Sequence, residues 1–567
     1  MSQSWVVRNF SESEESLLSQ AGQTPLMARL MAQRSIPVSQ VKDFVGATWD
    51  CLSPVSPPGL HDASRTITRV ALECGSAAVM GDYDVDGVTS CTMLKMLMDD
   101  LNIPCHIFLP HRIDHGYGVN DVSLEAMISE CGDPTPELLI IADSGSSSET
   151  HIQRAKQAGF KYVVVIDHHI IEEENKSVSA DALVNWRIGT GDELCTAGLV
   201  LLLARQLSMS GHEEVDWLKL APYAAVGTVA DVMPIWGDNR VIVKQGLKMI
   251  KDSPRIGLPS LVAACKIELG NVTQEDIAYR VGPCLNASGR VDVCRRSYDL
   301  LMENDPGKAA EMADDLRNTN LERRSVQKDI KKKCLELIGD TPVEDGLLLI
   351  DPSWHSGVVG IVASDMCRKY SVPALIMGSV NGVIKGSARS VPGISVKKIM
   401  DLCSEMFEKY GGHDAAAGAT LKTEYIDRAP EMFKTACRKY YEEYGRPVID
   451  RMYDADLRPT TVTVDTCKEV VDVFHPYCQH NNPEPRFKLS GVLVSNFTVK
   501  KGDDWRLSSF EGSCDGVDLP MKFKSFSDKL NSSLEWQTVD VIFCFPQKLN
   551  YKWGTDLSVV SVITRGE

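Results

Sequence analysis

Three carboxylates stand on alternate residues, Asp82, Asp84 and Asp86, directly after the apolar run Ala77-Ala78-Val79-Met80. The run reads as the end of a buried parallel strand. Gly87 then permits a sharp turn, and Thr89 to Asp99 has helical spacing with Leu94, Leu97 and Met98 apolar. The acids therefore crowd the carboxyl end of a strand, where open α/β sheets place their ligand sites. Carboxylates this close repel one another unless something positive sits among them, and a divalent cation is the simplest answer. The plainer alternative is a polar turn with one helix cap.

The elements that position these acids form a strand–helix alternation. Cys105–Leu109, Leu138–Ala142 and Tyr162–Ile166 read as further strands. The second ends at Asp143-Ser144-Gly145 and the third at Asp167-His168-His169. Intervening helices predict right-handed crossovers and a parallel sheet, so all of these ends share one edge. Carboxylates with imidazoles and no thiolate suit Mn²⁺ or Mg²⁺, with room for two ions. A small-residue segment, Ala224 to Pro234, presents Asp231, which on its own reads equally well as a helix-end cap.

The chain has 567 residues, enough for three or four domains. Its net charge of −17 argues against a general nucleic-acid binder with a basic face. Acids gathered around metals are counted in that total yet neutralised in a working site. There is no apolar run long enough for a transmembrane helix, and Met1 to Trp5 lacks the charged and apolar regions of a signal peptide. The 17 cysteines include no C-x-x-C pair, which predicts reduced thiols and a cytoplasmic location.

Residues 1–60 read as a helical segment followed by a Pro-rich linker, and 61–303 as the α/β domain with the acidic edge. Residues 304–340 read as one long helix with a basic face at Arg323-Arg324 and Lys331-Lys332-Lys333; a solvated face is an equal reading. Residues 341–448 form a second, smaller α/β domain. From 449 to 567 the pattern turns to short strands, which suits a small β-barrel.

Four signatures, Asp82-Tyr83-Asp84-Val85-Asp86-Gly87, Asp143-Ser144-Gly145, Asp167-His168-His169 and Gly227-Thr228-Val229-Ala230-Asp231, occur in that order. With them the sequence resembles the DHH phosphoesterase superfamily, and within it the RecJ-type single-strand exonucleases. Gly282 to Arg290 is similar to the segment that closes the family's catalytic domain. Ser353 to Ala363, Gly386-Ser387-Ala388-Arg389-Ser390 and Gly411-Gly412-His413 are similar to motifs of the DHH-associated domain. Asn481 to Pro485 matches a family segment, but Tyr477 to His480 replace the glycines expected before it. Asp504-Trp505-Arg506-Leu507 stands where a His-Leu-Lys is typical.

The resemblance implies an OB-like barrel and metal ligands at Asp82, Asp84, Asp86, Asp143, His168 and Asp231, with Asp143 bridging two Mn²⁺ or Mg²⁺ ions. His169 would face the scissile phosphate as a catalytic residue, with Asp167 orienting an imidazole. Arg112, Tyr117, Asn286, Arg290, Ser387, Arg389 and His413 are the substrate-binding expectations, since Arg matches phosphate oxygens and Tyr can stack on a base. Lys488, Lys500, Lys501, Arg506, Lys522 and Lys524, interleaved with Phe497, Trp505 and Phe523, fit a single-strand groove, although Phe497 and Phe523 also read as core. The implied function is a 5′→3′ exonuclease on single-stranded DNA in repair or recombination, using a two-metal hydroxide attack. The implied protein is monomeric and off the membrane, with a single-strand-binding protein or helicase as further partners. The alternatives are an oligonucleotide or nucleotide phosphodiesterase and a non-catalytic DNA-bound scaffold.

Overall fold

The computed structural model describes residues 5–111, 114–116, 118–189, 192–291, 295–380, 382–447, 451–478, 481–501, 506–514, 521–526, 530, 532–547 and 556–564, with the side chains of 173 and 288–291 left aside. Two compact units are present. One joins Met1–Gly282 to Asp450–Glu567, and the other is Pro283–Ile449.

The first unit holds a five-stranded, all-parallel sheet. Its strands are β1 (Ala77–Met80), β2 (Cys105–Phe108), β3 (Leu138–Ala142), β4 (Tyr162–Ile166) and β5 (Ala182–Val184), in the order β2-β1-β3-β4-β5. Strands β1, β3 and β4 are buried at every residue, which is why they read as unbroken apolar runs. Helix α1 (Val85–Asp100) leaves β1 directly, packs against α2 (Thr196–Met209) and α3 (Ala221–Ala230), and is covered in turn.

Gly87 is not a turn residue. It lies in the first turn of α1, where a Cβ would come within 2.5 Å of the Asp82 carbonyl oxygen. The glycine is needed for close approach of helix to loop, and the sharp change of direction is made earlier, with Asp84 as N-cap accepting from Gly87 N–H at 3.0 Å.

The second unit carries β6 (Leu347–Ile350), β7 (Ala374–Val380), β8 (Val383–Arg389), β9 (Phe407–Gly412) and β10 (Ala416–Leu421) in the order β9-β10-β8-β7-β6. Its longest helix, α4 (Pro306–Ile338), has 33 residues. The basic face expected there is largely spoken for. Arg323 is buried against Asn320 and Gln327, and Lys331 and Lys332 pair with Asp365 and Glu336.

The C-terminal part of the first unit is a closed barrel of β11 (Phe487–Lys501), β12 (Arg506–Ser513), β13 (Met521–Ser525), β14 (Thr538–Cys544) and β15 (Asp556–Thr564). The order runs β11-β12-β13-β15-β14, and β14 pairs back onto β11, so no edge is left open. Phe523 is fully buried and Phe497 packs against the same core. Lys488 and Lys524 are engaged by Asp540 and Asp556. Trp505 and Asp504 lie outside the described residues.

The barrel core is continuous with the N-terminal helices: Leu18, Met27, Leu30 and Phe44 share it with Phe474, Phe487 and Phe543. A buried Arg240 ties this region to the sheet domain. Its guanidinium donates to the carbonyls of Phe44, Val473, Phe474, His475 and Pro476. Among the described residues the cysteines are free thiols and no helix is long and apolar enough to cross a membrane.

Candidate metal centre

The parallel register brings the C-terminal ends of β1, β3 and β4 side by side, and each delivers acids or imidazoles. Asp82, Asp86, Asp143 and Asp167 are at most 2% exposed. Three groups have ligand atoms within 4.8 Å of one another: Asp82 with Asp84 and Asp143; Asp86 with His168 and Asp231; and Asp143 with His168 and His169. Asp143 and His168 each belong to two groups. His168 Nε2 lies 3.4 Å from Asp143 Oδ1, 3.6 Å from Asp231 Oδ2 and 3.9 Å from Asp86 Oδ2.

Local backbone geometry serves this convergence. Asp143 sits in the left-handed region at φ 65°, and so does Val232, the residue after Asp231, at φ 59°. Such conformations are costly for non-glycine residues and concentrate at functional sites. Helix α3 ends with Asp231 as its C-cap, which places that carboxyl at the mouth of the cluster.

Asp86 is held by a neighbouring helix. The N-cap of α2 is Cys195, whose side chain makes no capping bond. The backbone N–H groups of Thr196 and Ala197 donate instead to Asp86 Oδ2 and Oδ1 at 2.8 and 2.9 Å. The positive end of the α2 dipole thus faces a buried carboxylate. Thr196 Oγ1 donates to Asp143 Oδ1 at 3.0 Å. Gly227 gives Asp86 its space, since a Cβ there would lie 2.9 Å from Asp86 Oδ1.

Electrostatics fit a divalent ion. Burial, followed by the charges of Asp86, Asp84 and Asp82, pushes the Asp143 carboxyl well above the usual range. Burial with Asp86 and Asp84 raises Asp231 to about 8. Burial also lowers His168, favouring the neutral imidazole that ligates metals. The donors are carboxylate oxygens and imidazole nitrogens, and the buried Cys195 thiol is engaged with Thr228. That set suits Mn²⁺ or Mg²⁺.

Asp167 and His169 are bound to each other beside this cluster. Asp167 Oδ1 accepts from the backbone N–H groups of His168 and His169 and lies 2.8 Å from His169 Nδ1. Its Oδ2 accepts from Ser146 N–H. Burial opposes the charge on Asp167, but His169 and these N–H groups outweigh it and hold the carboxyl below the usual range. Burial likewise opposes the His169 charge, and Asp167 overrides it, raising His169 to about 9.

In the second unit, Ser387 and Arg389 occupy β8, with Arg389 Nη1 2.6 Å from Ser387 Oγ. Arg389 pairs with Ala416, and the exposed His413 donates its N–H to the Ala416 carbonyl at 2.8 Å, so these three share one end of that sheet. Asn286 is half-buried on the helix Gly282–Val291. Arg112 and Tyr117 lie outside the described residues, as does the Arg290 side chain.

Comparison with known proteins follows the same division. Residues 76–228 match the model described as DHH family, N-terminal domain, and residues 345–439 match the DHHA1 domain. The chain thus carries one stretch similar to the DHH family's N-terminal domain and another similar to the DHHA1 domain. Among curated relatives, the single-stranded-DNA-specific exonuclease RecJ of Bacillus subtilis is 28% identical over 494 residues, 86% of this chain and 60% of that protein. The RecJ of Escherichia coli is 28% identical over 82% of this chain and 83% of its own length. The chain thus spans about 60% of the Bacillus protein's length. A Thermus thermophilus RecJ structure in complex with Mn²⁺ shares the fold at a TM-score of 0.82 and 22% identity, covering 99% of this chain and 80% of that one. A further RecJ structure, bound to manganese, is 27% identical with a TM-score of 0.60, covering 69% and 97%.

Residues that sequence reasoning missed surround the DHH tripeptide. Asn185 is buried and donates from Nδ2 to Ser146 Oγ and to the His169 carbonyl. Thr196 and the N–H groups at the start of α2 are likewise unmarked by any motif. The missing capping side chain at Cys195 is the one local signal that something distant must supply it.

Proposed function

We propose that this chain is a metal-dependent exonuclease that removes mononucleotides from single-stranded DNA in the 5′→3′ direction, in repair or recombination. The observation that carries the reading is the doubly shared Asp143, which belongs both to the group with Asp82 and Asp84 and to the group with His168 and His169. That arrangement suits two neighbouring ions with a common carboxylate. Similarity to RecJ proteins over most of the chain supports the substrate class.

Asp82, Asp84, Asp86, Asp143, His168 and Asp231 would hold the ions. Bound divalent ions supply an ionised water at neutral pH and charge neutralisation at the phosphate. Asp167 keeps His169 protonated at Nδ1 and leaves Nε2 for the substrate. With its pKa raised to about 9, His169 carries a proton at neutral pH and can release it to the departing oxygen. Arg389, Ser387 and His413, with Arg112, Tyr117, Asn286 and Arg290, are the proposed strand contacts.

The test is degradation of end-labelled single-stranded DNA and RNA of several lengths with Mn²⁺ or Mg²⁺. Wild type should shorten 5′-phosphorylated DNA one nucleotide at a time, and Asp143→Ala should not. Equal behaviour of the two proteins sinks the reading.

A further inference from the structure

The strand that follows the DHH tripeptide ends in a short turn that carries an arginine. After β5 comes Asn185, then a short 3₁₀ turn, Trp186–Ile188. Asn185 Oδ1 accepts from the Arg187 N–H at 2.9 Å and fixes the turn. Arg187 Nε donates to the backbone carbonyl of His168 at 2.9 Å. Its guanidinium also lies over the Trp186 indole, 4.3 Å from the ring centroid. The side chain is exposed, and among the described residues no hydrogen bond or ion pair takes up its terminal amino groups.

This is an unusual state for a surface arginine. Long cationic side chains ordinarily keep their rotameric freedom, and fixing one costs conformational entropy. Here both the stacking and the Nε bond orient the planar fork, and the two remaining amino groups stay available for a bidentate acceptor. The anchor is the carbonyl of His168, one of the residues of the acid-and-imidazole cluster, so the cation stands immediately beside it.

We propose that Arg187 is a substrate-binding residue that clamps a phosphate of the single strand beside the DHH centre, pre-oriented by Trp186 and the His168 carbonyl. The inference rests on the exonuclease reading above. It assigns the contact to a charged fork and not to a base, so it carries no sequence preference.

The experiment measures binding of a fluorescent 5′-phosphorylated oligodeoxynucleotide in EDTA, where no degradation occurs, over a range of salt concentrations. The proteins are wild type, Arg187→Met and Arg187→Lys, each checked for an unchanged melting temperature. Arg187→Met should weaken binding about 10-fold and reduce the slope of log affinity against log salt by about 0.7, the value for one phosphate contact on a single strand. Arg187→Lys should restore the slope but only part of the affinity. With Mn²⁺ present, Arg187→Met should raise KM and leave kcat within about twofold. A normal slope in Arg187→Met overturns the proposal while leaving the exonuclease reading intact. A wild-type chain that neither binds nor degrades single strands overturns both.

Discussion

His169 Nδ1 lies 2.8 Å from Asp167 Oδ1, and the same oxygen accepts the backbone N–H groups of both histidines. One carboxylate thus fixes the ring, its tautomer and the turn that carries it. Asp167→Asn keeps the shape and removes the charge. His169 should then lose its elevated pKa, and kcat should fall about 100-fold at pH 8. Because the raised pKa keeps His169 protonated until the pH passes about 9, the alkaline limb of the wild-type rate profile should lie near there and move toward neutrality in the variant. Rates across pH 6–10 check this.

Asp143→Asn should separate stability from activity. In metal-free protein the buried Asp143 carboxyl is opposed by burial and by four neighbouring acids, Asp86, Asp84, Asp82 and Asp231. Removing its charge should raise the melting temperature in EDTA by a few degrees, while Thr196 Oγ1 can still donate to the amide oxygen. Wild type should gain stability on adding Mn²⁺ and the variant much less. Melting curves with and without the ion decide it, and activity should drop by more than about 1,000-fold.

Gly227→Ala tests the space behind Asp86. The added methyl would meet Asp86 Oδ1, Thr89 Oγ1 and the Ala197 Cβ at 2.9, 2.7 and 2.7 Å. Overpacking of this kind costs about 1–3 kcal/mol. A displaced Asp86 should also weaken Mn²⁺ binding at least 10-fold by calorimetry, a loss that simple destabilisation elsewhere would not cause.

His475 supplies a pH dependence away from the metal centre. Burial, then the nearby Arg240 and Lys244 charges, depress its pKa from 6.5 to about 4. The folded state therefore disfavours the proton that the unfolded chain accepts below about 6.5. The associated stability is present above that pH and is lost as the pH falls toward 4. The urea midpoint should drop between pH 7 and pH 4.5 by an amount equivalent to about 2 kcal/mol. His475→Phe should flatten that part of the curve.

The sheet and the acid-and-imidazole cluster at its edge were readable because buried parallel strands are unbroken apolar runs and the polar residues sit at their ends. Asp82, Asp143 and His168 could be found from that pattern and from the family likeness. Gly87 was misread because a glycine after three acids looks like a turn when the demand is backbone proximity to Asp82. The Asp86 contacts to Thr196 and Ala197 span 110 and 111 positions, and no local periodicity encodes them. Strand β5, three residues long, gave no periodic signal, so Asn185 and Arg187 had no frame. How far the basic face of α4 is free could not be read from spacing, because the burial of Arg323 and the pairing of Lys331 with Asp365 depend on distant neighbours.

The carbonyl cage around Arg240 also sets a timetable for synthesis. Its acceptors at Val473 to Pro476 lie 233 to 236 positions downstream. At typical ribosome speeds that interval lasts on the order of 10–50 s. Through it the nascent sheet domain holds its acids but lacks the helix end that neutralises Arg240, while the intervening second unit emerges whole. A chain ending between residues 232 and 472 therefore has every residue proposed to hold metal and none of these later acceptors for Arg240.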